Sequence, residues 1–93
     1  MGGNKEFDFE GLRKKLIEEG GFPKVYFFKF IVPSDNKSVA LVEALFNENA
    51  QVNLRSSKTG KYVSLSAKEV MLSEENIINR YKEALNIKGC IAL

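Results

Sequence analysis

The chain has 93 residues, 14 Lys and Arg against 12 Asp and Glu, and a net charge of +2. That length supports one domain, and with 44% hydrophobic residues, three Tyr and seven Phe it can build a core, which excludes wholesale disorder. So small a net charge does not mark a nucleic-acid binder, no apolar run approaches the roughly 20 residues that cross a bilayer, and the lone Cys90 excludes an intramolecular disulfide and fits a reducing cytoplasm.

The first ten residues, Met1 to Glu10, are polar and lack the apolar stretch of a signal peptide, so none is expected. Residues 1–6 read as a flexible N-terminus and residues 7–93 as a single domain. A helix is predicted over residues 8–19. Asp8 is a good N-cap, Phe7 and Leu12 have the spacing of a hydrophobic staple, and Phe9, Leu12 and Leu16 share one face with Ile17 beside them. Gly20 and Gly21 end it, because glycine reaches the left-handed conformation at little cost.

Val25 to Val32 is the clearest strand, aromatic and β-branched and bounded by Pro23 and Pro33. Tyr26, Phe28, Phe30 and Val32 point one way; Val25, Phe27, Lys29 and Ile31 point the other. Lys29 marks the second face as the one nearer water, yet Phe27 and Ile31 make it more apolar than a freely solvated surface needs. A turn from Pro33 to Asn36 leads into a second helix, capped by Ser34 or Asp35, with Val39, Val42, Leu45 and Phe46 as its apolar stripe and Asn47 to Asn49 as its stop.

Two alternating runs follow. In Gln51 to Ser57, Val52 and Leu54 face inward and Asn53 and Arg55 outward. In Tyr62 to Val70, Val63, Leu65 and Ala67 take one side and Tyr62, Ser64, Ser66 and Lys68 the other. The turn at Lys58, Thr59 and Gly60 joins them into a hairpin. Ser73 caps the last helix, Glu74 and Glu75 suit its first turn, and Ile77, Ile78, Tyr81 and Leu85 form its buried stripe. Cys90 to Leu93 is a short closing strand.

After the N-terminal helix the order is β, α, β, β, α, β. Right-handed crossovers and one hairpin fold that order into an α+β, ferredoxin-like domain: a four-stranded antiparallel sheet with two helices on one face, plus the N-terminal helix. The aromatic strand and the Tyr62 strand are then central. The opposite face is bare unless the N-terminal helix or a partner covers it. Phe27, Lys29, Ile31, Tyr62, Ser64 and Ser66 should line it, with Asn53 and Arg55 toward one edge.

The chain resembles the YbeD-like family of small bacterial proteins, a domain of unknown function, from Leu12 to Leu93. The resemblance rests on Phe22-Pro23, on Phe28-Lys29-Phe30, on the serine-rich hairpin from Arg55 to Leu65, on Tyr81 and on the short closing strand. This sequence departs from the family in a longer N-terminal segment and in Pro33 at the first turn. The resemblance implies a ferredoxin-like fold similar to the ACT regulatory domains and implies no activity.

Charge concentrates at the hairpin. Gln51 to Lys68 holds four bases (Arg55, Lys58, Lys61 and Lys68) and no acid, which leaves ten bases against twelve acids elsewhere. Arg55, Ser56, Ser57, Lys58, Lys61, Tyr62 and Ser64 gather hydroxyls and cations around a glycine turn, the groups that an anion needs. The same residues also suit a solvated turn in which Ser57 and Thr59 cap the bend and the lysines keep an edge soluble. Lys29 is either a cation at the centre of a binding face or a snorkelling lysine on the open face whose stem covers Phe27 and Tyr62.

Catalytic chemistry is poorly supplied. Histidine is absent, so a serine–histidine or cysteine–histidine mechanism within the chain is excluded, as is a zinc site of Cys and His ligands. No metal ligands, cofactor or enzyme activity are expected. Cys90 reads as a small core residue. The sequence therefore favours a non-catalytic regulatory or interaction module, ACT-like by resemblance, binding an anionic small ligand, a protein partner or a second copy as a homodimer. Lys29 and the hairpin would supply the polar contacts, with Phe27 and Ile31 on the interaction face. The alternative is an RNA-binding module of the RNA-recognition-motif type, with Phe27 and Tyr62 stacking bases; Ser64 and Ser66 stand where that motif wants further aromatics.

Overall fold

Each helix begins where a side-chain oxygen can accept from its first turn. The computed structural model describes residues 7–93, so the expectation for residues 1–6 lies outside the described residues. Helix α1 (Phe9–Glu19) is capped by Asp8, whose Oδ1 accepts from the Gly11 N–H at 2.8 Å. Helix α2 (Asn36–Glu43) is capped by Asp35, which accepts from the N–H and the hydroxyl of Ser38 at 2.8 and 2.9 Å. Of the two caps expected there, Asp35 does the work. Helix α3 (Glu74–Leu85) is capped by Ser73, 3.2 Å from the Asn76 N–H. Helix α1 stops as expected: Gly20 takes φ +58° and bonds the Leu16 carbonyl at 3.0 Å.

Four strands, β1 (Lys24–Pro33), β2 (Gln51–Ser56), β3 (Tyr62–Met71) and β4 (Ile91–Ala92), form one antiparallel sheet in the order β2-β3-β1-β4. The architecture is the expected ferredoxin-like α+β fold, with the two ten-residue strands central and paired along their whole length from Lys24–Met71 to Pro33–Tyr62. Phe28, Phe30, Val32, Leu65 and Ala67 line the inner face with no exposed surface, packed under Val42, Ile77 and Ile78. Rings dominate this layer: Tyr81 lies 5.5 Å from Phe28 and 5.4 Å from Phe30, centroid to centroid. Full burial of one such side chain stabilises the fold by roughly 2–3 kcal/mol. The Tyr81 hydroxyl meets that of Tyr26 at 3.0 Å, and both burial and this bond raise its pKa.

Helix α1 lies on the same side as α2 and α3. Arg13 binds Glu75 of α3 at 2.7 Å and also pairs with Glu10, and the Phe7 ring stacks on Tyr81 at 5.2 Å. No described helix therefore covers the outer face of the sheet.

One expectation fails locally, and another holds in direction but not in burial. Leu45 and Phe46 are not part of α2, which ends at Glu43; the bonding tightens to Leu45 N–H to Val42 C=O and Phe46 N–H to Glu43 C=O, and this turn delivers Phe46 to the core, 5.5 Å from Phe28. Leu54 was expected inward and does lie on the inner side of β2, but it is 45% exposed because β2 is the outermost strand and the helices pack over β1 and β3 instead. Cys90 is buried, as expected, and burial pushes its thiol up to about 11.

One charge enters the core. Glu69 on the inner side of β3 is 6% exposed and is held bidentately by Arg80 of α3, at 2.7 and 3.2 Å, and by the Asn47 amide at 2.6 Å. The Arg80 guanidinium stacks 4.9 Å from the Phe46 ring. Arg80, burial opposing, holds the Glu69 carboxyl below its ordinary value of 4.5. Glu69→Gln should cost about 3 kcal/mol at neutral pH, because it leaves the largely buried Arg80 guanidinium unneutralised. The contribution is complete above pH 4.5 and fades as pH falls through the lowered pKa of the folded state, so denaturant titrations of wild type and variant should converge in acid. A gap that stays constant with pH would show that the ion pair is not its source.

Candidate functional site

Strand parity decides what the outer face offers. Paired residues share a face, so the outer side runs in rows across the sheet: Phe27, Lys68 and Gln51; Lys29, Ser66 and Asn53; Ile31, Ser64 and Arg55; then Pro33 and Tyr62. Ile91 of β4 extends the Ile31 row. Phe27 is 62% exposed, with Val25, Tyr62, Val70 and Ile91 also open. Together with the inward-turned Glu69, this places three cations and no acid on the outer face of the strands. By strand spacing, Lys29 stands about 8 Å from Lys68 and about 12 Å from Arg55, Cα to Cα. Among the described residues the ion pairs fall to Arg13, Lys24 and Arg80; Lys29, Arg55, Lys58, Lys61 and Lys68 have none.

A shallow hollow of about 430 Å³ opens between the rows, lined by Phe27, Lys29, Asn53, Arg55, Ser64 and Ser66. Its polar groups are little used. The Ser64 hydroxyl is 3.5 Å from the Arg55 carbonyl, too long for a strong bond, and the Ser66 and Asn53 side chains bond nothing among the described residues. Lys68 leans over the Phe27 ring, 5.7 Å from its centroid, and keeps its charge on the surface. Two cations flanking two free hydroxyls and an amide can receive a carboxylate or a phosphate.

Of the residues singled out in the sequence, the fold brings Lys29, Arg55 and Ser64 into this hollow. A second, smaller depression joins Ile31, Arg55, Ser56, Ser57, Tyr62 and Ser64 toward the hairpin. The tip is a turn held by its own chain. Ser57 accepts from the Tyr62 N–H at 3.2 Å and lies 3.4 Å from the Thr59 hydroxyl, while Gly60 takes φ +74°. Ser56 pairs with the buried Val63, so its side chain takes the inner parity of the exposed strand end, yet the residue still borders this depression. Lys58 and Lys61 stand at the exposed tip and line neither depression. Sequence reading placed Ser66 and Asn53 on this face, and Lys68 on the side of Tyr62 and Ser64, but did not count the three among the binding residues; the structure sets Asn53 and Ser66 in the hollow and Lys68 beside Phe27. Phe27 and Tyr62 lie six residues apart along the ladder, about 20 Å, too far to stack successive bases side by side.

The family described as "Protein of unknown function (DUF493)" matches residues 18–90, which include every strand but β4 and the whole hollow. No curated protein and no solved structure matches the chain.

The hairpin predicts a contrast between its serines. Ser57→Ala should lower stability by about 0.5–1 kcal/mol through loss of the Tyr62 contact, whereas Ser64→Ala should stay within about 0.5 kcal/mol. Urea titration of both variants checks this, and an equal loss would place Ser64 in a structural role.

Proposed function

The chain belongs to the DUF493 family, a membership that assigns no activity, and from the geometry we propose that it is a non-catalytic interaction module whose bare sheet face binds an anionic group at Lys29, Arg55 and Lys68. The observation that carries the reading is the three unpaired cations, one in each of three successive rows, with the Ser64 and Ser66 hydroxyls between them, on a face whose described strand residues include no acid. The chemistry left to the chain supports the non-catalytic part: it has no histidine, and its one thiol is buried with a raised pKa.

Magnitudes narrow the ligand. An exposed ion pair is worth at most about 1 kcal/mol, so three of them hold a free anion no better than roughly millimolar. Tight binding needs apolar contact as well, and Phe27, Val25 and Ile91 provide it beside the cations. A protein partner that carries carboxylates meets both demands. The separation of Phe27 and Tyr62 weighs against recognition by base stacking.

Citrate or phosphate at about five times its dissociation constant should stabilise the wild type by about 1 kcal/mol, a rise in Tm of several degrees over sodium chloride of equal ionic strength. Lys29→Gln combined with Arg55→Gln should remove that excess. Equal stabilisation of wild type and double variant by every anion tried would show that the face is not the site.

A further inference from the structure

The edge of β1 is only partly covered. Strand β4 pairs with it at Phe30 and Ile31, and the Leu93 N–H reaches the Lys29 carbonyl at 2.9 Å. In an antiparallel ladder both backbone groups of a residue turn to the same neighbour, and the neighbour alternates along the strand. Lys29 and Ile31 turn to β4, so Val25 and Phe27 turn to the same edge, where they have no backbone partner among the described residues. Two N–H and two C=O groups thus lie open, in line with β4. The side chains of Val25 and Phe27 are each 62% exposed on the bare face.

Charge says what fits there. An incoming strand that runs as β4 runs places one residue opposite Phe27 and, two residues later, another opposite Val25. The first lies about 7–8 Å diagonally from Lys29, and Lys68 already sits over the Phe27 ring. An acidic side chain at that position meets two cations. An apolar one at the next covers Val25.

We propose that the free edge of β1 at Val25 and Phe27 takes an extended segment of a partner protein as a fifth strand, with an acidic residue opposite Phe27 and an apolar residue opposite Val25. The charge preference rests on the anion-binding reading of the face; the backbone pairing rests on the ladder alone. A nucleic acid could answer the charge but not the ladder.

The test uses the isotopically labelled full chain and a synthetic peptide of Glu-Thr-Val-Thr repeats, followed by amide exchange at Val25 and Phe27. The peptide should slow exchange at both amides. A version N-methylated at its Glu and Val residues, which cannot complete the ladder, should bind at least about tenfold more weakly. Replacing Glu by Lys in the peptide, or Lys29 by Gln in the protein, should weaken binding as well. If the N-methylated peptide binds as well as the parent, strand addition is wrong and the anion-binding face stands. If neither charge change matters while N-methylation does, the anion reading fails together with the acidic preference. Protection of the two amides that grows with protein concentration alone would give the edge to a second copy and overturn the proposal, as would tighter competition by a single-stranded oligonucleotide.

Discussion

A carboxylate inside the sheet's covered side sets the terms for the rest of the molecule. Glu69 stands where the alternation of β3 demands an apolar residue, and it is tolerated because Arg80 and Asn47 use both its oxygens. That requirement ties β3 to α3 and to the turn after α2, and the stacking of Arg80 on Phe46 draws the turn further in. With α1 clamped to α3 through Arg13 and Glu75, all three helices are committed to one side. The other side is left to the alternating residues, and those are cations, hydroxyls and open apolar groups.

The two faces divide the chain's charge. The helices carry seven acids against six bases, whereas the β2–β3 hairpin carries four bases and a single acid, the inward-turned Glu69, so a modest total of +2 conceals a positive outer face. Lone cations in water contribute little to affinity, and a face built from them alone would serve mainly to steer an encounter. Here they stand beside exposed Phe27, Val25 and Ile91, whose removal from water supplies the larger favourable term. The pairing of the two kinds of surface is what separates this face from a merely soluble one.

The central strands were plain in the sequence because a period of two survives any tertiary context in which one face is buried. Tyr26, Phe28 and Phe30 against Phe27, Lys29 and Ile31 needed only parity, and Asp8, Asp35 and Ser73 announced their helices by chemistry local to one turn. What stayed hidden depends on distance across the chain. Nothing near Glu69 in sequence identifies Arg80 as its partner, although an acid on the apolar parity of β3 was itself a signal. The exposure of Leu54 follows from its strand being outermost, and the role of Phe46 from a tightened turn. At the hairpin, parity alone set Lys29, Ser64 and Ser66 on one face with Asn53 and Arg55 near its edge, but composition favoured the whole run from Arg55 to Ser64 as the binding element, whereas the fold joins Lys29, Asn53, Arg55, Ser64 and Ser66 in one hollow and leaves Lys58 and Lys61 at the tip.

The central ladder has a further consequence. Strands β1 and β3 match over ten residues apiece but are separated by the whole of residues 34–61. Closing that long loop is an entropic cost met once, by the collapse of the complete sheet. The hollow draws its side chains from β1, β2 and β3, so it has no existence in a partly assembled chain. Whatever occupies it is therefore coupled to global unfolding, and its stabilising effect should extend to amides throughout the core, far from the point of contact.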